Sequence, residues 1–237
     1  WDFIPDMTGS LQEEHGIHFR PVVDPLGREI TALEAISDSP ESAGEDEDKY
    51  IANLNAVRMA LMKAGKACPD GMTLYLTILP MTLVAVPNAV DTITDAIKNA
   101  GLVPEQIILG VSETEVIPGL NDFTEAVKQL KQAGISLSID NFGDGSAGLS
   151  LLTHVQPDRV RIASGIIRDV HRSGPKQAVV QAIIKCCSAL EINVIASGIE
   201  QPEEWMWLEA AGVIDFQGSL FTPQGTSVSW PEYRAAM

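Results

Sequence analysis

The chain has 237 residues, 45% of them hydrophobic and 20% charged, which are the proportions of a globular protein able to bury a substantial core. Its net charge of −16 disfavours non-specific binding to DNA or to an anionic membrane. No apolar run reaches the roughly 18 residues of a membrane span, and no basic-then-apolar leader opens the chain, so the expected compartment is the cytoplasm.

The opening Trp1-Asp2-Phe3-Ile4-Pro5 has no initiating methionine, so residues 1–16 read as a linker from an upstream domain and 17–237 as one domain. The charge is uneven. Residues 1–48 carry thirteen acidic side chains against Arg20 and Arg28. Many of these lie in Glu41–Asp48, a solvated loop by composition and otherwise an acidic patch for a basic partner.

From there the pattern is regular. His18–Val23 and Glu29–Ile36 read as strands joined by the turn Asp24-Pro-Leu-Gly27. A helix is expected from about Asp48 to Lys66, then a strand over Met72–Ile78, a helix over Asp91–Asn99 and a strand over Gln106–Val111. Phe123, Ala126, Val127 and Leu130 mark a helix over Asn121–Gln132, which Gly134 should stop. Ile135–Ile139, Arg159–Ile162 and Asn193–Ala196 read as strands, with a long helix from Pro175 to Leu190 between the last two. Pro202 and Glu203 open a further helix. In it, Trp205 and Trp207 point about 200° apart, so one should be core and the other a candidate partner contact.

Cysteine and histidine offer little chemistry. Cys68 stands alone, and the adjacent Cys186 and Cys187 have no CxxC spacing. The stripe Val179, Ala182, Ile183, Cys186, Leu190 predicts that Cys186 is a buried core thiol. His15, His18, His154 and His171 form no HExxH pair. GxGxxG after the first strand and GxxxxGK[ST] are both missing, which removes support for a Rossmann or P-loop nucleotide site. Strand–helix alternation over the whole domain predicts a parallel α/β fold, best matched by a (β/α)8 barrel. Chemistry in such a barrel sits at the C-terminal strand ends. Those ends carry Glu34, Thr77, Gly110 with Glu113, Asp140-Asn141, Arg161 with Ala163, Ser197 with Glu200, and Gln217. Converging carboxylates there would suit Mg²⁺ or Mn²⁺.

Phe19-Arg-Pro-Val-Val-Asp24, Glu34-Ala-Ile36, Asp140-Asn-Phe-Gly143, Ala196-Ser-Gly-Ile-Glu200 and Gln217-Gly218 resemble, in order and spacing, the YQPIVD, EAL, DDFG, AEGVE and QGY motifs of EAL domains. The resemblance implies a modified TIM barrel of a family that hydrolyses cyclic di-GMP with two Mg²⁺ or Mn²⁺ ions. Leu79-Pro-Met-Thr-Leu83, Ser173-Gly-Pro175, Gln181–Cys187 and Pro202–Leu208 further resemble an enterobacterial group in which a blue-light-sensing BLUF flavin domain precedes a degenerate EAL domain. That likeness implies an anti-repressor that binds a MerR-like transcriptional repressor, with any flavin belonging to the upstream domain. The EAL resemblance implies a homodimer through barrel helices.

Carried over by resemblance, the metal ligands are mostly lost. Glu34 and Asp140 remain. The asparagine ligand is Thr77, the ExTE ligand is Gly110, the second aspartate is Asn141 and the AEGVE glutamate is Ser197. Glu113 matches the second ExTE glutamate, and Ala163 fills a further acidic position. Arg161 replaces the lysine that orients the attacking water, and a guanidinium does not give up its proton. Two of six ligands are too few for a bimetallic centre, and each lost catalytic group commonly costs about 10²–10⁴-fold. The expectation is a non-catalytic domain without a cofactor. Arg20, Glu34, Asp140, Asn141, Arg161, Glu200 and Gln217 would line a vestigial cyclic di-GMP pocket. Binding there should be weak or absent, because Asp38 stands at the place of the EALxR arginine.

Overall fold

The computed structural model describes residues 17–37, 46–68, 71–115, 117–146 and 148–222. Residues 1–16, Asp38 and most of the acidic loop lie outside them, as do the expectations placed there.

Eight strands close a barrel in the order β1 to β8. They are β1 (Ile17–Asp24), β2 (Glu29–Ser37), β3 (Leu74–Ile78), β4 (Ile107–Ser112), β5 (Ser136–Phe142), β6 (Arg159–Ile162), β7 (Asn193–Ser197) and β8 (Asp215–Gln217). Pairings from β2 round to β8 are parallel. The first strand is the exception, antiparallel to β2 and also to β8, which it meets at Val23↔Phe216. The fold is the expected modified (β/α)8 barrel, its modification being this one reversed strand. The cause is local. Asp24 Oδ1 accepts the backbone N–H groups of Leu26 and Gly27, closing a tight hairpin that sends β2 back along β1.

Eight helices wrap the described barrel: α1 (Asp46–Ala67), α2 (Thr82–Ala85), α3 (Ala89–Asn99), α4 (Leu120–Gln132), α5 (Gly148–Val155), α6 (Ser164–Ile167), α7 (Gly174–Ala189) and α8 (Pro202–Ala210). Two long helices show how apolar stripes are buried. On α1 these are Leu54, Val57, Leu61 and Ala64, and on α4 Phe123, Ala126, Val127 and Leu130. They join Leu74, Leu76, Ile107, Leu109, Leu137 and Ile139 from the outer faces of the strands in one large core. Each fully buried aliphatic side chain there contributes about 1.5–3 kcal/mol. Gly134 ends α4 with a left-handed φ of 100°, where a Cβ would be strained.

One expected burial is wrong by one residue. On α7 it is Cys187 that is fully buried, with Val180, while Cys186 is only half-buried and Val179 and Leu190 are exposed. The stripe on Val179, Ala182, Cys186 and Leu190 is tilted off the true inner face by about the 100° that one residue turns. Trp205 is 1% exposed in a second core, set edge-on to Phe221 with ring centroids 6.2 Å apart. Trp207 is half-buried against that core.

Candidate functional site

Side chains alternate between lumen and exterior along each strand. Val22, Ala32, Tyr75, Ile108 and Ile195 form an apolar lumen layer. Two residues further toward the mouth from Ala32, Tyr75, Ile108 and Ile195 come Glu34, Thr77, Gly110 and Ser197, with Asp140, Arg161 and Gln217 closing the ring. The apolar plug thus supports a polar layer that is itself largely sealed. Glu34, Asp140, Arg161 and Gln217 are each less than 9% exposed.

The polar layer is one connected network. Arg161 Nη1 donates to Glu34 Oε1 at 2.6 Å, and Gln217 Nε2 donates to Glu34 Oε2 at 2.8 Å. Arg161 Nε lies 3.8 Å from Asp140 Oδ1. That same oxygen accepts the Tyr75 hydroxyl and, at 3.2 Å, the Ser138 hydroxyl. The guanidinium carbon sits 4.0 Å from the centroid of the Tyr75 ring, a cation–π contact away from water. Burial pushes the Asp140 carboxyl above its usual value, against the opposing pull of Arg161 and of the Tyr75 hydrogen bond. Burial likewise raises the Tyr75 phenol, which remains a proton donor. For Arg161 burial acts the other way, yet Tyr75, Asp140 and Glu34 together hold it charged.

Of the seven residues expected to line a pocket, Glu34, Asp140, Arg161 and Gln217 meet in this network. Arg20 is directly opposite Glu34 in the β1–β2 register but exposed. Asn141 is exposed at a left-handed φ of 55°, its amide donating to Ser112 Oγ at 3.3 Å. Glu200 is not part of the cluster. It faces solvent on the loop after β7 and pairs with Arg168 at 2.6 Å.

Three side chains that matter here were not singled out from the sequence. Tyr75 was legible in principle, since it precedes Thr77 by two and so shares the lumen face. Ser138 stands in the same relation to Asp140. Glu204 belongs to a Gln201-x-x-Glu204 capping box at the start of α8. Its buried carboxylate accepts the backbone N–H of Asp169 at 2.8 Å, of Glu200 at 3.0 Å and of Gln201 at 3.2 Å. Glu113 works similarly near the mouth. It is 4% exposed and accepts the N–H groups of Gly143 and Gly145 at 3.0 and 2.9 Å, fastening the loop after β5.

Residues 8–224 match the model of the EAL domain, and the chain belongs to the EAL family. It is 48% identical to the blue light- and temperature-regulated antirepressor BluF of Escherichia coli, over 90% of this chain and 56% of that protein. It is 27% identical to the cyclic di-GMP phosphodiesterase NbdA of Pseudomonas aeruginosa, over 87% of this chain and 28% of that one. The calcium/cyclic di-GMP complex of Klebsiella pneumoniae BlrP1 superposes with a TM-score of 0.81 and 36% identity, over 92% of this chain and 57% of its own. The chain thus spans little more than half the length of BluF and BlrP1. It is an EAL-fold signalling module related to both.

The residues present do not fit the two divalent cations that the family uses. A hard cation needs several free oxygen lone pairs around it. Here both Glu34 oxygens are engaged by N–H donors, and Gly110 presents no ligand. Among the described residues, no three His, Cys, Asp or Glu side chains are grouped as a metal site requires. Nor is any described helix long and apolar enough to cross a membrane.

Proposed function

We propose that this domain is a non-catalytic member of the EAL family that acts through protein contact, as the output part of a light-regulated antirepressor that antagonises a MerR-like transcriptional repressor. The observation that carries this reading is the engagement of Glu34 by Arg161 and Gln217. Metal-assisted hydrolysis needs a cation to bind the phosphate and to lower the pKa of the attacking water. With Thr77, Gly110, Asn141 and Ser197 at the other ligand positions, the mouth lacks the negative charge to gather two such ions. The 48% identity to an antirepressor supports contact with a repressor as the alternative use of a preserved barrel.

A second reading is a cyclic di-GMP receptor, or a residual phosphodiesterase. The likeness to BlrP1 in complex with cyclic di-GMP favours it, as does the position of Arg20 at the open mouth. Calorimetric titration of cyclic di-GMP with Mn²⁺, followed by chromatography for the linear dinucleotide, separates the readings. No heat and no product is the expected result. Heat without product would make the domain a receptor, and product abolished by Glu34→Ala would overturn the proposal. Retention of a MerR-like repressor by the immobilised domain tests the positive half.

A further inference from the structure

We propose that Arg161 is the resident counter-ion of the barrel mouth, a tethered guanidinium in place of the divalent cations of the family, with Tyr75 and Gly110 shaped to receive it. The inference deepens the non-catalytic reading above and rests on the same network.

Three observations converge. Arg161 addresses both surviving carboxylates at once, through Nη1 to Glu34 at 2.6 Å and Nε toward Asp140 at 3.8 Å. It does so while 8% exposed and stacked on Tyr75, so it is fixed in place rather than draped over the mouth. The third observation concerns Gly110, a residue whose backbone has no need of glycine, since it lies within a regular strand without a positive φ. A Cβ there would stand 2.5 Å from Asp140 Oδ2, 2.8 Å from Tyr75 Cε1 and 2.9 Å from the Tyr75 hydroxyl. Tyr75 and Asp140 have taken the volume that a side chain at 110 would fill. The ring is in turn the surface on which the guanidinium lies.

Tyr75, Gly110 and Arg161 therefore form a set. A glutamate restored at 110 alone would collide with Tyr75 and Asp140 before it met any metal. A cation approaching Glu34 would have to displace a buried positive charge that leaves only by breaking its own hydrogen bond. The general consequence is that one guanidinium partly compensates the two carboxylates in the absence of metal, so the fold depends on neither Mg²⁺ nor Mn²⁺.

The test uses the purified chain, with Mn²⁺ binding followed by electron paramagnetic resonance and unfolding followed by circular dichroism in EDTA or in millimolar Mn²⁺. The wild type should bind no stoichiometric Mn²⁺ and melt at the same temperature in both buffers. Arg161→Met should lower Tm by about 10 °C in EDTA, as expected for two buried carboxylates left without their partner. Mn²⁺ should recover part of that loss, because Glu34 and Asp140 become available to it. Arg161→Lys, which keeps the charge but not the two-sided reach, should fall between them and gain no Mn²⁺ response. Gly110→Ala should also lower Tm, and by less when combined with Tyr75→Leu. The last two variants carry the test should Arg161→Met fail to fold. Stoichiometric Mn²⁺ on the wild type, lost in Glu34→Gln, would overturn the inference, as would an Arg161→Met protein that melts with the wild type. Neither outcome depends on whether a repressor is captured or product is formed, so the two proposals fail separately.

Discussion

Glu113 gives a sharp test of how the mouth is held, because its carboxylate does a measurable amount of structural work without being a ligand. Its two oxygens accept the N–H groups of Gly143 and Gly145, which lie on the loop that leaves β5 just beyond Asp140. Gly148, at the start of α5, leaves no room for a Cβ because the same carboxylate occupies that space. Hydrogen bonds to a charged acceptor contribute about 1.5–3 kcal/mol each, but Gly143 and Gly145 are exposed enough for water to replace part of the loss. Glu113→Ala should therefore cost about 3 kcal/mol in all, or about 6–12 °C in Tm for a domain of this size. Glu113→Gln keeps one acceptor and turns a donor toward the other N–H, so it should cost a smaller but clear amount. Hydrogen exchange supplies the local readout. Protection of amides 143–146 should fall in Glu113→Ala while amides of β4 and α4 keep theirs relative to global stability. An unchanged Tm together with unchanged exchange at 143–146 would refute the assignment of Glu113 as the clasp of this loop.

Three further outcomes follow from burial and charge. Trp205→Ala empties a site that is 1% exposed and loses the edge-on contact with Phe221, so it should cost about 3–5 kcal/mol in urea unfolding, whereas Trp207→Ala should cost well under half as much. Asp215, half-buried and accepting from Thr31 Oγ1 at 2.8 Å, has its pKa raised above 3.8, chiefly by desolvation. The folded state then holds that proton more tightly than the unfolded state, so its stability contribution is present below pH 3.8 and lost as pH rises through the raised value. Asp215→Asn should accordingly gain Tm relative to wild type between about pH 4 and 7, and a constant difference across that range would count against the shift. Burial pushes the thiols of Cys68 and Cys187 up to about 11, which predicts sluggish alkylation of the native protein at pH 8 and three equivalents only after unfolding.

Much of the fold was legible because the strands of a barrel advertise themselves. Arg159–Ile162 is a strand with the bounds read from the sequence, and the spacing of Phe123, Ala126, Val127 and Leu130 located α4 to within a residue. Helix α5 escaped because it has only eight residues, begins on Gly148 and exposes Leu149, which leaves too short a stripe for any period to show. The turn at Asp24–Gly27 implied that β1 and β2 are antiparallel, but not that β1 closes the barrel against β8, a contact across the whole chain. Cys187 was missed for its neighbour because Val179 and Leu190 are apolar yet exposed, and apolar character alone cannot tell surface from core. The site was half visible. Strand ends named Glu34, Asp140, Arg161 and Gln217, while Glu200 shares their motifs but turns outward to Arg168. Contacts such as Tyr75 with Asp140 join residues 65 apart in sequence and arise only when neighbouring strands set the same height in the lumen.

The choice of arginine rather than lysine at 161 is what makes that lumen coherent. A lysine ammonium is a point charge on a flexible stem and would satisfy one carboxylate at a time. The planar guanidinium presents Nη1 to Glu34 and Nε toward Asp140 from one rigid group, and its face lies on Tyr75. Such a buried triad adds little net stability over an apolar filling, since desolvation offsets most of the attraction, but it is expensive to break from either side. Its effect should therefore be absent from the total stability of the wild type and large in single variants at Glu34 or Arg161. A double variant that replaces both Glu34 and Arg161 with apolar residues of similar size should recover much of what either single change loses. Additive losses in that cycle would mean that the two side chains do not compensate one another across the barrel.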